Sequence, residues 1–362
     1  MVRIVVERTV VLARIPAPTF GERRRAELVA SWWKADGWPM VSIDGGGNVW
    51  ARVGSGDEAA VVVCAHLDTV FDDDVDHTPT YDGDRLRGPG VGDNSVAVAA
   101  LSAVGRLIDR QPGHRPVWLL ATVGEEGLGN LSGIRWALDH RPGPLAALIA
   151  VEGNYLGRVA TTGVGSLRWE VTLTGPGGHA WERADAPNVV HEAARIVAGL
   201  AALEVVQGRR SINVGTFSGG ETINARSRHA AFAVDLRSSS AKGLEALERE
   251  ASVVLGAPLP EGVEISTKVL GRRPAGGVGP VHPLVRAATS ALETAGIEPK
   301  VVAASTDANA AFAAGIPAVA LGITVGAGEH TLEEWIDLPP IARGLAALAD
   351  TVAMFERESD YA

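Results

Sequence analysis

The sequence contains one cysteine, Cys64, among 362 residues. A lone thiol closes no intrachain disulfide, so the fold requires no oxidising compartment. Cys64 sits in the apolar run Val61-Val62-Val63-Cys64-Ala65 and reads as a small buried hydrophobe rather than a reactive thiol. Long Lys/Arg clusters are missing as well. With a formal net charge of -10, the chain is repelled by phosphate backbones, and nucleic acid is not an expected partner. Solvated carboxylates alone would account for that acidity. No apolar run reads as long enough to span a membrane. Arg3, Glu7 and Arg8 interrupt the apolar N-terminus, which argues against a secretory signal. A cytoplasmic protein with no membrane partner is the expectation. The sequence also lacks internal repeats and low-complexity tracts.

What is present is a globular balance of 46% hydrophobic and 21% charged residues, in a chain too long for one ordinary core. Two domains are expected. Helices are predicted over 4–14 and 22–36, a strand over 60–66, and a helix over 94–109. Strands are predicted near 116–123 and 145–151. Strands alternating with helices predict a mostly parallel α/β sheet. The pattern changes near residue 163. Leu167, Trp169, Val171 and Leu173 alternate with polar residues, as on a half-exposed strand. Next come a helix over Val189–Leu200, strands over 211–217 and 229–236, a helix over 241–255 and a strand over 263–270. The order β-α-β-β-α-β is the ferredoxin-like pattern. It predicts an inserted α+β domain over 163–273, between two parts of an α/β domain, 1–162 and 274–362. In the last part, helices are expected over 281–295 and 307–314, with strands near 300 and over 317–322. A final helix is expected after Pro339-Pro340.

Five segments offer metal-ligand chemistry. His66-Leu67-Asp68 ends an apolar strand. Residues two apart project to one face, so His66 could ligate a cation while Asp68 accepts its other ring N–H. A hydrogen-bonded strand-end histidine is the plainer alternative. Asp93, in Gly88-Pro89-Gly90-Val91-Gly92-Asp93-Asn94, could bridge two cations or simply cap a helix. That loop continues with no Lys-Ser/Thr and gives no GxGxxG, which disfavours a nucleotide-binding enzyme. Glu125-Glu126 follows an apolar strand, where adjacent acids are costly unless cations compensate. One can ligate while the other reaches an activated water. Glu152 ends another strand at the edge where α/β sheets bind ligands. His330 lies in Gly326-Ala327-Gly328-Glu329-His330-Thr331. Two histidines and three carboxylates suit zinc, cobalt or manganese.

These motifs resemble the cocatalytic metallohydrolases that include glutamate carboxypeptidase, acetylornithine deacetylase, succinyl-diaminopimelate desuccinylase, aminoacylase and peptidase T. The resemblance covers nearly the whole chain. It takes in Ile15-Pro16-Ala17-Pro18-Thr19 with Glu22, the stretch from Asp44 to Asn48, the five segments above, and Gly177-Gly178-His179. It implies that His66 and Glu152 hold one metal, Glu126 and His330 the other, and that Asp93 bridges them. Glu125 would be general base and acid, and Asp68 would orient His66. The inserted domain would be a lid and dimerisation domain, giving a homodimer. His179 on it would polarise the scissile carbonyl, and Asn224 and Arg237 would bind a substrate carboxylate. An Asp235–Arg237 surface pair is the plainer reading of Arg237. Thr306-Asp307 resembles a family motif, with Asp307 expected to cap the following helix.

The expected function is hydrolysis of small peptides with two divalent ions, zinc first and cobalt or manganese as alternatives. Glu125 would deprotonate a water held by the metals and then protonate the leaving amine. An N-acyl-amino-acid deacylase is the alternative within the same chemistry. A catalytically silent binding protein is the alternative outside it.

Overall fold

The computed structural model describes residues 1–111 and 114–359, in two compact units: Met1–Gly163 with Gly277–Ala362, and Val164–Gly276. The first is built on a largely parallel sheet. Its order runs Ser42–Ile43, Val49–Val53, Val117–Thr122, Ala60–His66, Leu145–Glu152, Ala318–Gly322, Arg158–Gly163. The four middle strands are parallel, and the margins turn antiparallel. Because side chains alternate along a strand, the apolar runs feed two cores. Val61, Val63, Ala65, Leu119 and Ile149 face one side and pack with the helices Val2–Ala13, Val96–Asp109, Pro283–Thr294 and Ile341–Ser359. Val62, Cys64, Leu120, Leu148 and Ala150 face the other and pack with Ser132–Asp139 and Ala308–Ala313. Burial on both faces explains why these strands read as continuous apolar runs.

The last helix begins after Pro340, and Ile341, Leu345, Leu348, Val352 and Phe355 are all buried. Val91–Asp109 departs from the sequence expectation. By length and composition it could cross a membrane, but 78% of it is buried inside the protein, as a core helix is. Its alanines and valines let it lie between the sheet and two other helices. The regular helix starts at Val96 rather than 94, because Asp93 and Asn94 have non-helical dihedrals. The short pieces Ser42–Ile43, Val49–Val53, Thr80–Asp82 and Arg85–Arg87 were not foreseen in the sequence.

The second unit is a four-stranded antiparallel sheet in the order Arg210–Gly219, His229–Ser238, Gly165–Thr174, Glu264–Arg273. Helices Val189–Ala201 and Ala241–Leu255 cover one face. Leu167, Trp169, Val171 and Leu173 form its core with Phe232, Val234 and Leu236, which is the period-two pattern of the sequence. The chain order β-α-β-β-α-β with this sheet order is ferredoxin-like.

Candidate metal centre

Parallel strands that end together leave their last residues side by side. His66 and Glu152 are the last residues of Ala60–His66 and Leu145–Glu152, and Glu125-Glu126 follow Val117–Thr122. Two loops supply the rest. Asp93 lies ahead of the helix Val96–Asp109, and His330 follows the short strand Gly326–Ala327. The structure brings all five predicted ligands together. His66 Nε2 lies 3.0 Å from Asp93 Oδ1 and 3.7 Å from Glu152 Oε2. His330 Nε2 lies 3.1 Å from both Asp93 Oδ2 and Glu126 Oε1. Asp93 therefore turns one oxygen to each cluster. Glu125 also brings an oxygen within 4.8 Å of ligand atoms of His66 and Glu126.

The donor set fits a pair of divalent cations. Two ligands about 2.0–2.2 Å from one zinc-sized ion lie roughly 2.8–3.6 Å apart at right to tetrahedral angles; the 3.0 and 3.1 Å separations fall in that range, and the 3.7 Å between His66 and Glu152 lies just beyond it. Asp93 Oδ1 is buried and accepts no hydrogen bond, although His66 Nε2 is 3.0 Å away. An orphaned buried carboxylate oxygen calls for a charged partner.

Protonation follows from this crowding. Burial opposes charge on His66, yet Asp68, Asp93 and Glu152 raise its pKa well above the usual value. Hydrogen bonds to Asp93 and Glu126 raise His330 to about 10. Burial pushes Glu152 up to about 7, against the pull of His66. Asp93 is itself buried, but His330 and His66 hold its carboxyl well below the ordinary range.

Asp68, fully buried, stands beside His66 and has a second task that the sequence did not show. His66 Nδ1 lies 3.0 Å from Asp68's backbone carbonyl oxygen and 3.5 Å from its carboxylate. The carboxylate mainly organises the acidic turn. Oδ1 accepts from the Glu125 N–H at 3.0 Å, and Oδ2 from the Glu126 N–H at 2.8 Å and Thr19 Oγ at 3.0 Å. Burial works against its ionisation, but His66 and these two N–H groups keep its pKa low.

Several supporting residues had no assigned role in the sequence. Asn94 donates to Val151 O at 2.8 Å and accepts from Gly153 N at 3.0 Å, which fixes the strand end carrying Glu152. Glu22, the residue before the helix Arg23–Ala35, accepts from Gly124 N at 2.9 Å, next to Glu125. Arg25, 1% exposed, donates to Ile15 O and Leu67 O beneath the site. Glu334, fully buried, accepts three backbone N–H bonds from the Asp93 loop. Asn94 and Glu22 stood inside noticed motifs, whereas nothing in the sequence marked Arg25 or Glu334. Asp307 corrects an expectation. Its side chain makes no cap bond. It is buried and accepts from Thr122 Oγ at 2.6 Å. Thr306 Oγ accepts from Ala308 N instead. A buried hydroxyl partner holds Asp307 inward, which leaves the cap to its neighbour.

In the second unit, His179 pairs with Ala225 in a two-stranded ribbon. Ala180 N donates to Asn224 O at 2.8 Å, so His179 and Asn224 are neighbours. Arg237 stands on His229–Ser238 and donates to Asp235 Oδ2 at 2.8 Å, the plainer of its two readings.

The profile of peptidase family M20/M25/M40 matches residues 62–354. No curated protein matches the sequence. Among solved structures, a Staphylococcus aureus tripeptidase superposes with a TM-score of 0.86 at 17% identity, covering 99% of each chain. An aminopeptidase of Bacillus cereus gives 0.80 at 20% identity, covering 98% of this chain and 99% of that one. An amidase of the hydantoinase/carbamoylase family from Burkholderia multivorans gives 0.68 at 18%, covering 99% and 98%. At these identities the likeness is one of fold.

Proposed function

The chain belongs to peptidase family M20/M25/M40, hydrolases of peptide bonds, and on that premise we propose that it cleaves small peptides at a centre for two divalent cations. His66, Asp93 and Glu152 would hold one cation, and Asp93, Glu126 and His330 the other, with zinc the first choice and cobalt or manganese the alternatives. Such ions supply Lewis acidity, which polarises a carbonyl and makes a water acidic at neutral pH.

The protein's own groups do the rest. Glu125 takes a proton from the attacking water and passes it to the leaving amine, so that water's OH joins the acyl carbon as the C–N bond breaks. Asp68 holds the backbones of Glu125 and Glu126 in register, so base and ligand keep a fixed offset. His179 is assigned the polarisation of the carbonyl oxygen. Asn224 and Arg237 are assigned the substrate carboxylate. A dimer joined through the second unit is the expected state, to be checked by light scattering.

The observation that carries this reading is Asp93 presenting one oxygen to each of two clusters, with Glu125 beside them. The test combines a variant with a substrate panel. Glu125→Ala should keep its metal and lose turnover, and near-wild-type activity would refute the role. Dipeptides and tripeptides should be cleaved faster than N-acetyl or N-succinyl amino acids. The reverse order would make it a deacylase, and binding without turnover would make it a binding protein.

A further inference from the structure

The Gly88–Asp93 loop is an unlikely place for order. Gly88 and Gly90 have positive φ, and a loop this rich in glycine is costly to hold still. Yet it must fix Asp93 between two clusters. The group that holds it comes from far along the chain. Glu334 Oε2 accepts from the Gly90 N–H at 2.6 Å, and Oε1 from the Gly92 and Asp93 N–H groups at 2.8 and 2.7 Å. Its backbone carbonyl accepts from the Gly88 N–H at 2.9 Å. The carboxylate sits so close that a Cβ at Gly92 would lie 2.7 Å from Oε1.

Glu334 lies four residues beyond His330. His330 is itself held at a positive φ of 64° on a mainly exposed loop. The backbone of that loop is pinned beside Glu334: Glu334 N donates to Thr331 O, and Trp335–Asp337 pairs with Arg85–Arg87. One side chain thus ties the strand that follows His330 to the loop bearing Asp93. The other cluster shares Asp93 but draws its remaining two groups from the sheet. His66 and Glu152 end sheet strands, and Asn94 secures the turn after Glu152.

We propose that Glu334 is a positioning residue that sets the Asp93–His330 spacing, and with it the affinity of the cation position framed by Asp93, Glu126 and His330. The proposal rests on the two-cation reading above. A carboxyl group suits the task because both of its oxygens accept and three backbone N–H donors converge on them, which offsets part of the burial that pushes its pKa up to about 8. A glutamine would turn an NH2 toward at least one backbone N–H. The geometry then predicts an uneven loss: the larger at the His330 position, where both Asp93 and His330 depend on the tie, and the smaller at the His66–Glu152 position, where only Asp93 does.

The experiment titrates metal-free wild type and Glu334→Gln with zinc by calorimetry, and measures bound zinc by elemental analysis after dialysis. Wild type should hold two ions. Glu334→Gln should keep one tight ion and bind the second about 10- to 100-fold more weakly. Glu334→Asp keeps two accepting oxygens but loses reach, and should fall between them. It serves as the test if the glutamine variant does not fold. A merely structural role would lower the melting temperature and leave the ratio of the two affinities unchanged, which would overturn the proposal. Two unaltered affinities, or equal weakening of both, would overturn it as well. If wild type itself takes up no zinc, the two-cation reading fails first, a result separable from the others.

Discussion

Metal uptake at pH 7 should expel about two to three protons from the protein. His330 Nε2 sits 3.1 Å from two carboxylate oxygens, and its pKa of about 10 leaves it fully protonated at pH 7 without metal. His66 is also raised well above the usual imidazole value. Glu152, pushed to about 7, is about half protonated. A ligating imidazole needs its lone pair, and a ligating carboxylate must be ionised. Two imidazolium protons and about half a carboxyl proton must therefore leave. The sign follows: raised pKa values mean that protons compete with the cations, so affinity climbs with pH. From pH 7 to 6 the combined affinity should fall by roughly 10²- to 10³-fold, about tenfold per proton displaced. Calorimetric titration with zinc in buffers of different ionisation enthalpy reads the proton number as the slope of heat against buffer enthalpy. A slope below one proton, or an affinity flat between pH 6 and 8, would refute the reasoning.

Two substitutions probe the supports. Asp68→Asn places an amide donor against backbone N–H groups now held at 2.8 and 3.0 Å. It should lower kcat by about 10- to 100-fold. An unchanged kcat would show that the acidic turn holds itself. Arg25→Met removes a guanidinium 1% exposed, its pKa pushed to about 10 by burial despite Asp68, Glu22 and Glu334 nearby. Breaking such a buried set should cost about 3–5 kcal/mol, seen as a lower denaturant midpoint. A midpoint within error of wild type would show that the guanidinium is dispensable.

The sequence made the cores legible because parallel strands buried on both faces must be apolar throughout, as Val61-Val62-Val63 is. The ferredoxin-like unit was legible because Leu167, Trp169, Val171 and Leu173 face a core on one side only. Of the candidate ligands, His66, Glu126 and Glu152 were legible as polar residues ending or following apolar strands, and Asp93 and His330 as polar residues in glycine-rich loops. Short marginal strands such as Ser42–Ile43 escaped because two residues carry no period. Glu334 escaped for a different reason. Its partners are backbone N–H groups some 240 positions away, and a backbone donor has no residue signature. In Thr331-Leu332-Glu333-Glu334 nothing distinguishes the fully buried acid from its exposed neighbour.

That contrast reflects two ways of holding a ligand still. His66 and Glu152 are placed by the ladder, where His66 pairs with Thr122 and Glu152 with Gly322. Ladder bonds are made by backbone alone, so many sequences can fill those strands and still put a ligand at the end. Asp93 and His330 have no ladder beneath them, and the Asp93 loop depends on one side chain, Glu334, reaching particular backbone N–H groups. Substitution of strand residues with volume kept should therefore be tolerated around the centre. The loops tolerate less, since a Cβ at Gly92 would push on the Glu334 carboxylate and a donor at Glu334 would face backbone N–H groups. The constraint on this centre lies in how its loops are fastened as much as in the atoms that would touch a cation.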